Sequence, residues 1–274
     1  MTQPEPARGA KSAAGEKRLV GRVVLLAGPD ESTNVVANYL GSRVRDLVLV
    51  VESPPSRVRM ARRRARRVGW VAATGQILFV ALVLPVLRRA GKERRESILK
   101  AASVDTRPKA PDFVVSSVND VGTSSLLAEL HPAVVVVHGT RIIAAALLNS
   151  LECPVLNVHA GLTPRYRGVH GGYWALAEHH PEWVGTTVHL VDPGIDTGGI
   201  LEQVTFTVTD EDSIGTYADL HLVHGLPLLA AQVEKALEGR TLEPVAASVA
   251  PGSYLRYHPT LWGYFRRRWS SGVR

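Results

Sequence analysis

Short apolar runs rich in Val, Ile and Leu recur along the chain. Each is closed by Gly, Pro, Asp or Ser, and most lead into a stretch with helical periodicity. RLVGRVVLLAG (18–28) reads as a first buried strand, stopped by Gly28 and Pro29. The NVVANYL that follows reads as an amphipathic helix, with Ser32 and Thr33 as capping candidates. DLVLVV (46–51), DFVVSSV (112–118), PAVVVVHG (132–139) and CPVLNVH (153–159) continue the series, with a helix expected over IIAAALLNSL behind the fourth strand. Continuously apolar, β-branched strands alternating with helices predict a parallel sheet covered on both faces. VGTTVHLVD (184–192) and ILEQVTFTV (200–208) are joined only by a PGIDTGG turn, which predicts antiparallel late strands, and a long helix is expected from about Ser213 to Leu237. The expected class is α/β, a Rossmann-like and mostly parallel sheet with antiparallel late strands and helices on both faces.

Residues 56–105 interrupt this alternation. RVRMARRRARR is followed by VGWVAATGQILFVALVLPVL and then RRAGKERR. The apolar part, Val68 to Leu87, is 20 residues long, the length of a helix that crosses a bilayer core. A single crossing would separate the second and third strands, which could then not share a sheet. Two other readings stay open: a helical insertion packed on the domain or on a partner, and a helix lying on an anionic membrane with Trp70 at the boundary. Gly69, Gly75 and Pro85 predict that the helix is broken.

Charge sharpens the picture. The 274 residues carry a net charge of +7, but residues 56–100 hold thirteen Lys/Arg against two acidic side chains, +11, whereas the remainder holds 19 basic and 23 acidic, −4. The basicity is local, so the body does not read as a nucleic-acid binder. Cys153 is the only cysteine, which excludes an intrachain disulfide and a cysteine-based zinc site and suits a reducing cytosol. Residues 1–17 are polar without an apolar run and are expected to form a disordered tail. YLRYHPTLWGYFRRRW, near the C-terminus, interleaves aromatics with arginines and reads as a second interfacial patch, a dimer contact or a lid.

The chemistry concentrates in NVHAGLTPRYRG (157–168). Asn157 and His159 are two apart at a strand end and therefore share a face, at the carboxyl edge where α/β proteins build sites. An amide donor and an imidazole converging there can hold a developing oxyanion while a proton moves. Equally, Asn157 can cap a turn and His159 can be a satisfied buried histidine. Asp196, in the Gly-rich VDPGIDTGG, adds a carboxylate expected to raise the histidine pKa and fix its tautomer. No Ser sits in a G-x-S-x-G elbow, and Cys153 precedes a Pro ahead of the strand, so a covalent acyl-enzyme is disfavoured. His221 and His224 lie at i, i+3 without a third ligand, so no metal site is expected.

Both motifs, in this order and 39 positions apart, resemble the folate-dependent formyltransferases: NVHAGLTPRYRG resembles their N-x-H-x-S-L-L-P-x-x-R-G signature, and DPGIDTGGI their aspartate loop. The resemblance covers residues 130–205 well and implies a formyltransferase fold over 18–250, with 56–105 as an insertion and 251–274 as a C-terminal tail. It implies 10-formyltetrahydrofolate as co-substrate and a primary amine as acceptor. Asn157 and a protonated His159 would stabilise the tetrahedral oxyanion, and Asp196 would assist proton transfer. The pterin would lie against Arg141, Ile142 and Ile143 on one side and Asp192, Gly194 and Ile195 on the other. Asn34, Arg165, Arg167, Gly168 and His170 are the residues expected on the acceptor side, the cations suiting a phosphorylated or otherwise acidic small molecule such as a nucleotide-linked amino sugar. Gly28-Pro29-Asp30-Glu31-Ser32-Thr33-Asn34 stands where the glycinamide ribonucleotide enzymes carry G-x-G-S-N, which argues against that acceptor. Only 78 residues follow Asp196, which argues against tRNA. The expected protein is a cytoplasmic transferase, with contact to an anionic membrane as one reading of the insertion. The alternative is a catalytically degenerate relative that binds an anionic membrane or RNA through the same arginines.

Overall fold

The computed structural model describes residues 19–274. The expected N-terminal tail lies outside them. Strand β1 (Leu19–Ala27) leads through helix α1 (Glu31–Gly41) to β2 (Val44–Glu52). After the insertion come β3 (Phe113–Val115), α6 (Val121–Leu130), β4 (Val134–His138), α7 (Ala145–Ser150) and β5 (Val155–His159). The insertion itself forms α2 (Arg57–Val68), α3 (Trp70–Leu78), a π turn at Phe79–Val83, α4 (Leu84–Ala90) and α5 (Lys92–Ala101). The later half contains β6 (Tyr166–Gly168), α8 (Gly171–Ala177), β7 (Gly185–Leu190), β8 (Ile200–Thr205), α9 (Tyr217–Leu237), β9 (Tyr254–Arg256) and α10 (Leu261–Ser271).

Seven strands form one sheet in the order β3-β2-β1-β4-β5-β7-β8. The first five are parallel, and β7 and β8 join antiparallel. The period-two alternation of β1 explains its two-sided burial: Val23 and Leu25 pack into one apolar cluster with α1 and α9, while Val24 and Leu26 pack into another with Leu127 of α6 and Leu147 of α7. A third cluster joins the insertion to the C-terminal half through Phe79, Leu84, Ile98, Tyr166, Tyr173 and Tyr264. Arg94 and Arg95 of α5 fasten it further, at 2.8 Å from Asp212 and 2.7 Å from Asp219.

Several expectations shift in detail. The helix expected over 142–151 begins only at Ala145. Its upstream turn is drawn off by side chains: Glu52 accepts from the Arg141 N–H at 2.6 Å, and Asn119 accepts from the Ala144 N–H at 2.7 Å. Ser32 and Thr33 do not cap α1, whose N-cap is Asp30; Thr33 instead donates to Gly28 O at 2.7 Å. Of the three expected breaks in the insertion, Gly69 makes one, with φ +80° between α2 and α3. Gly75 lies buried inside α3, where a Cβ would come within 2.4 Å of the Trp262 ring. Pro85 is accommodated because the helix widens into the π turn just ahead of it. The C-terminal residues fold back: β9 pairs with β6, and Tyr264 of α10 is buried.

Candidate active site

The site begins where β5 ends. Its antiparallel pairing with β7 sets Asn157 opposite His189 and His159 opposite Thr187. Asn157 Nδ2 donates to His189 Nε2 at 3.1 Å, and His189 Nδ1 donates to Leu190 O at 2.7 Å. That second bond leaves Nε2 as the acceptor and fixes the tautomer. One N–H of the Asn157 amide is thereby held, and the other remains for a ligand.

His159 is 5 % exposed, with Nε2 donating to Tyr166 O at 2.7 Å and Nδ1 lying 3.4 Å from Asp196 Oδ2. Asp196 sits in the left-handed region, φ +51°, where a short polar side chain is tolerated. Its Oδ2 accepts the Gly168 N–H at 2.8 Å, and its Oδ1 lies 3.8 Å from His189 Nε2. Gly168 itself is required there: φ is +92°, and a Cβ would meet Arg256 O at 2.2 Å.

These neighbours set the charges. Burial works to raise the Asp196 carboxyl, but His159, His189 and the Gly168 N–H outweigh it and hold the pKa at about 2. The His159 imidazole is pushed below its ordinary value, because the burial cost of its charge exceeds the attraction of Asp196. Asp196 acts in the expected direction, but burial outweighs it. Nε2 keeps its proton on Tyr166 O, so Nδ1, beside an ionised carboxylate, is the atom that takes up or releases the second proton.

Two cavities meet here. One, of about 390 Å³, is lined by Asn157, His159, His189 and Asp196, by Arg141, Ile142 and Ile143 on one wall, and by Asp192, Gly194 and Ile195 on the other. All three expected catalytic residues and all six expected pterin-side residues therefore border one space. Arg141 contributes main chain to that wall: its guanidinium donates to Ser53 O at 2.7 Å and Ser116 O at 3.2 Å and lies 3.5 Å from Glu52. Asp192 folds the opposite loop by accepting from the Gly194 N–H at 3.0 Å and the Thr197 hydroxyl at 2.7 Å. A narrow space between two main-chain walls, with Ile143, Val137 and Val191 as its apolar surface, has the size and chemistry for a flat heterocycle with edge donors and acceptors.

The second cavity, about 580 Å³, shares His138, Val158 and Ala160 with the first. Most of the expected acceptor residues lie away from this cavity. Asn34 accepts from the Lys109 N–H at 3.0 Å, outside either lining. Arg165 donates to Pro251 O at 3.2 Å and lies 4.5 Å over the Trp183 ring. Arg167 donates to Ile195 O at 3.1 Å, and His170 bonds His258 at 2.9 Å. Of that set Gly168 alone lines either of these two cavities, the first one. The others fasten loops, because their side chains find carbonyls, rings or imidazoles nearer than the cleft. Arg88 and Arg95, contributed by the insertion, line the second cavity instead, together with Asp30, Asp219 and His221.

Sequence reasoning missed His189; His221 is a buried histidine, one of the two readings open to it. His221 Nδ1 donates to Thr186 Oγ1 at 3.0 Å, while its buried Nε2 has no partner among the described residues. His224 turns away, bonding Leu220 O at 2.8 Å and stacking on Phe206. No group of three metal-ligating side chains occurs among the described residues.

The sequence profile of the formyl transferase family matches residues 72–224, more than half of the chain and inclusive of all three central side chains. The chain belongs to the formyl transferase family. Among its relatives, the methionyl-tRNA formyltransferase of Pelotomaculum thermopropionicum is 32% identical over 173 residues, 63% of this chain and 52% of that protein. The phosphoribosylglycinamide formyltransferase of Mycobacterium tuberculosis is 34% identical over 142 residues, 49% of this chain and 66% of that one. The chain thus spans about half the length of the first of these relatives. Glycinamide ribonucleotide transformylase 1 of Symbiobacterium toebii shares the formyl transferase fold, with a TM-score of 0.52 at 19% identity over 80% of this chain and 89% of that one.

Proposed function

We propose that this formyl transferase moves the formyl group of 10-formyltetrahydrofolate onto the primary amine of a small acceptor that also bears an acidic group, such as a nucleotide-linked amino sugar. The observation that carries the reading is the His159–Asp196 pair, 3.4 Å apart, in the wall of the first cavity, with His159 between Val158 and Ala160, which also line the second. The 390 Å³ space takes the pterin and its formyl group, and the 580 Å³ space takes the amine.

In this reading the amine nitrogen attacks the formyl carbon, and the carbonyl oxygen gains negative charge. The second N–H of Asn157 donates to that oxygen, its plane fixed by His189. The proton lost by the amine passes to His159 Nδ1, either directly or through water. The imidazolium so formed faces two acceptors, the Tyr166 carbonyl and the Asp196 carboxylate, and its charge stabilises the oxyanion. The same proton then goes to the departing folate nitrogen. A neutral resting His159 suits this cycle better than a charged one, since it can accept before it donates.

The second cavity mixes signs. Arg95 pairs with Asp219 at 2.7 Å, whereas Arg88 has no carboxylate partner among the described residues. Arg88 is therefore the cation for an acidic group of the acceptor. Incubation with 10-formyltetrahydrofolate and a panel of amino sugars, amino acids, glycinamide ribonucleotide and methionyl-tRNA, read by folate absorbance and product mass, tests the assignment. A formylated small amine supports it. Formylation of methionyl-tRNA alone overturns the acceptor class, and no formylated product at all overturns the activity.

A further inference from the structure

Trp70–Ala90 is one continuous 21-residue helix, by length and composition able to cross a membrane. It does not do so here, since β2 before it and β3 after it are parallel neighbours, with Val50 paired to Phe113. Both ends return to the same edge of one sheet. One side of the helix is core, with Ala73, Phe79 and Leu84 buried. The other side is apolar and open: Trp70 is 72% exposed, Val71 76%, Leu82 58% and Val86 64%.

The π turn keeps that open side in register. In a regular helix Val86 would lie about 160° around the axis from Trp70. The extra residue of a π turn takes back about 100°, which brings Leu82 and Val86 beneath Trp70 and Ile77. The result is a stripe about 24 Å long. Helix α10 extends it sideways, because Trp262 packs against Gly75 and exposes half its surface, followed along the same face by Phe265 and by Trp269 at 83% exposed.

Arginines flank this surface. Arg66 and Arg67 precede Trp70, Arg89 follows Val86, and Arg266 and Arg268 stand beside the α10 aromatics, all exposed. We infer that the α3–α4 stripe and the α10 aromatics form a peripheral docking surface for an anionic lipid bilayer. Aromatic and aliphatic side chains enter the headgroup boundary while the arginines meet lipid phosphates. A second copy of the chain fits less well, since a twofold interface would set arginine clusters against arginine clusters.

The test is flotation of the purified protein with vesicles of phosphatidylcholine and phosphatidylglycerol in equal parts, against phosphatidylcholine alone. The comparison includes the variants Val71→Asp/Val86→Asp and Arg66→Glu/Arg67→Glu. All four substituted side chains are exposed, so thermal midpoints should match the wild type. The wild type should float with the anionic vesicles only, with a blue shift of tryptophan fluorescence, and each variant should bind about 100-fold more weakly or worse. Equal binding to both vesicle types, no binding, or variants that float like the wild type would overturn the inference. So would a wild-type dimer that Val71→Asp/Val86→Asp turns into a monomer without any vesicle binding, which would give the stripe to a second copy. None of these outcomes depends on formyl transfer.

Discussion

Replacing Asp196 by Asn probes the proposed chemistry with little change in shape. The Asn Oδ1 can still accept the Gly168 N–H that Asp196 holds at 2.8 Å, so the loop keeps its anchor. What disappears is the charge, 3.4 Å from His159 Nδ1. Once His159 has taken up the amine's proton, the charge pair it forms with Asp196 is worth about 5 kcal/mol gross at an effective dielectric of about 20. Solvation and relaxation reduce this, and the loss of one such electrostatic partner costs typically about 3–4 kcal/mol, or 10²- to 10³-fold in kcat. Stability responds separately. A carboxyl held at about 2 against an ordinary 3.8 contributes about 2 kcal/mol above the ordinary value. That contribution is lost as pH falls toward 2. Urea denaturation at neutral pH should therefore show Asp196→Asn destabilised by up to about 2 kcal/mol, with the difference shrinking in acid. Turnover measured well below the thermal midpoint should fall 100-fold or more. Folded Asp196→Asn protein with turnover within about threefold of wild type would refute the assigned role of the carboxylate.

Three further outcomes are expected. Gly168→Ala should lower the thermal midpoint and the activity together, by at least about 2 kcal/mol in stability, because φ +92° and a Cβ 2.2 Å from Arg256 O force β6 away from β9 and withdraw the N–H from Asp196; a wild-type midpoint in a melting curve would contradict this. Stability should decline from about pH 6.5 downward: burial, with neighbouring histidines and arginines, depresses His170 and His221 to about 3 and His258 to about 4, so the unfolded chain takes up protons that the folded one refuses, at up to about 2 kcal/mol per histidine by pH 5; a flat denaturation profile between pH 7 and pH 5 would contradict it. His189→Leu should reduce kcat by about tenfold with a smaller change in folate affinity, since it frees the Asn157 amide to rotate without removing it; an unchanged kcat would show that the amide needs no such support.

The central sheet was legible because its strands are buried on both sides and so carry unbroken apolar runs; β4, at Val134–His138, is the plainest case. Asn157, His159 and Asp196 were legible because two lie on one strand face and the third sits in a loop whose glycines announce a close approach. His189 was not, since its role depends on β7 lying antiparallel to β5 in one particular register. The pairing of β6 with β9 joins residues 88 apart, Tyr166 with Tyr254, over three residues each, too short to carry a pattern of its own. Arg165, Arg167 and His170 drew attention by charge and by nearness to the motif, yet a charged side chain goes to the nearest satisfied geometry. The cations that line the second cavity come instead from Arg88 and Arg95, inside a segment that reads as an interruption. Their place follows from tertiary ties, Arg95 to Asp219 and Arg94 to Asp212, which span more than a hundred positions.

The most direct measurement is whether the purified protein releases tetrahydrofolate from 10-formyltetrahydrofolate in step with formylation of an amine, with His159→Ala as the paired control. The account predicts folate release matched one-to-one by formylated amine, and a fall of about 100-fold or more in His159→Ala while folate binding, read as a thermal shift, persists. Failure of any folate to bind or to lose its formyl group, or equal turnover in His159→Ala, would contradict it.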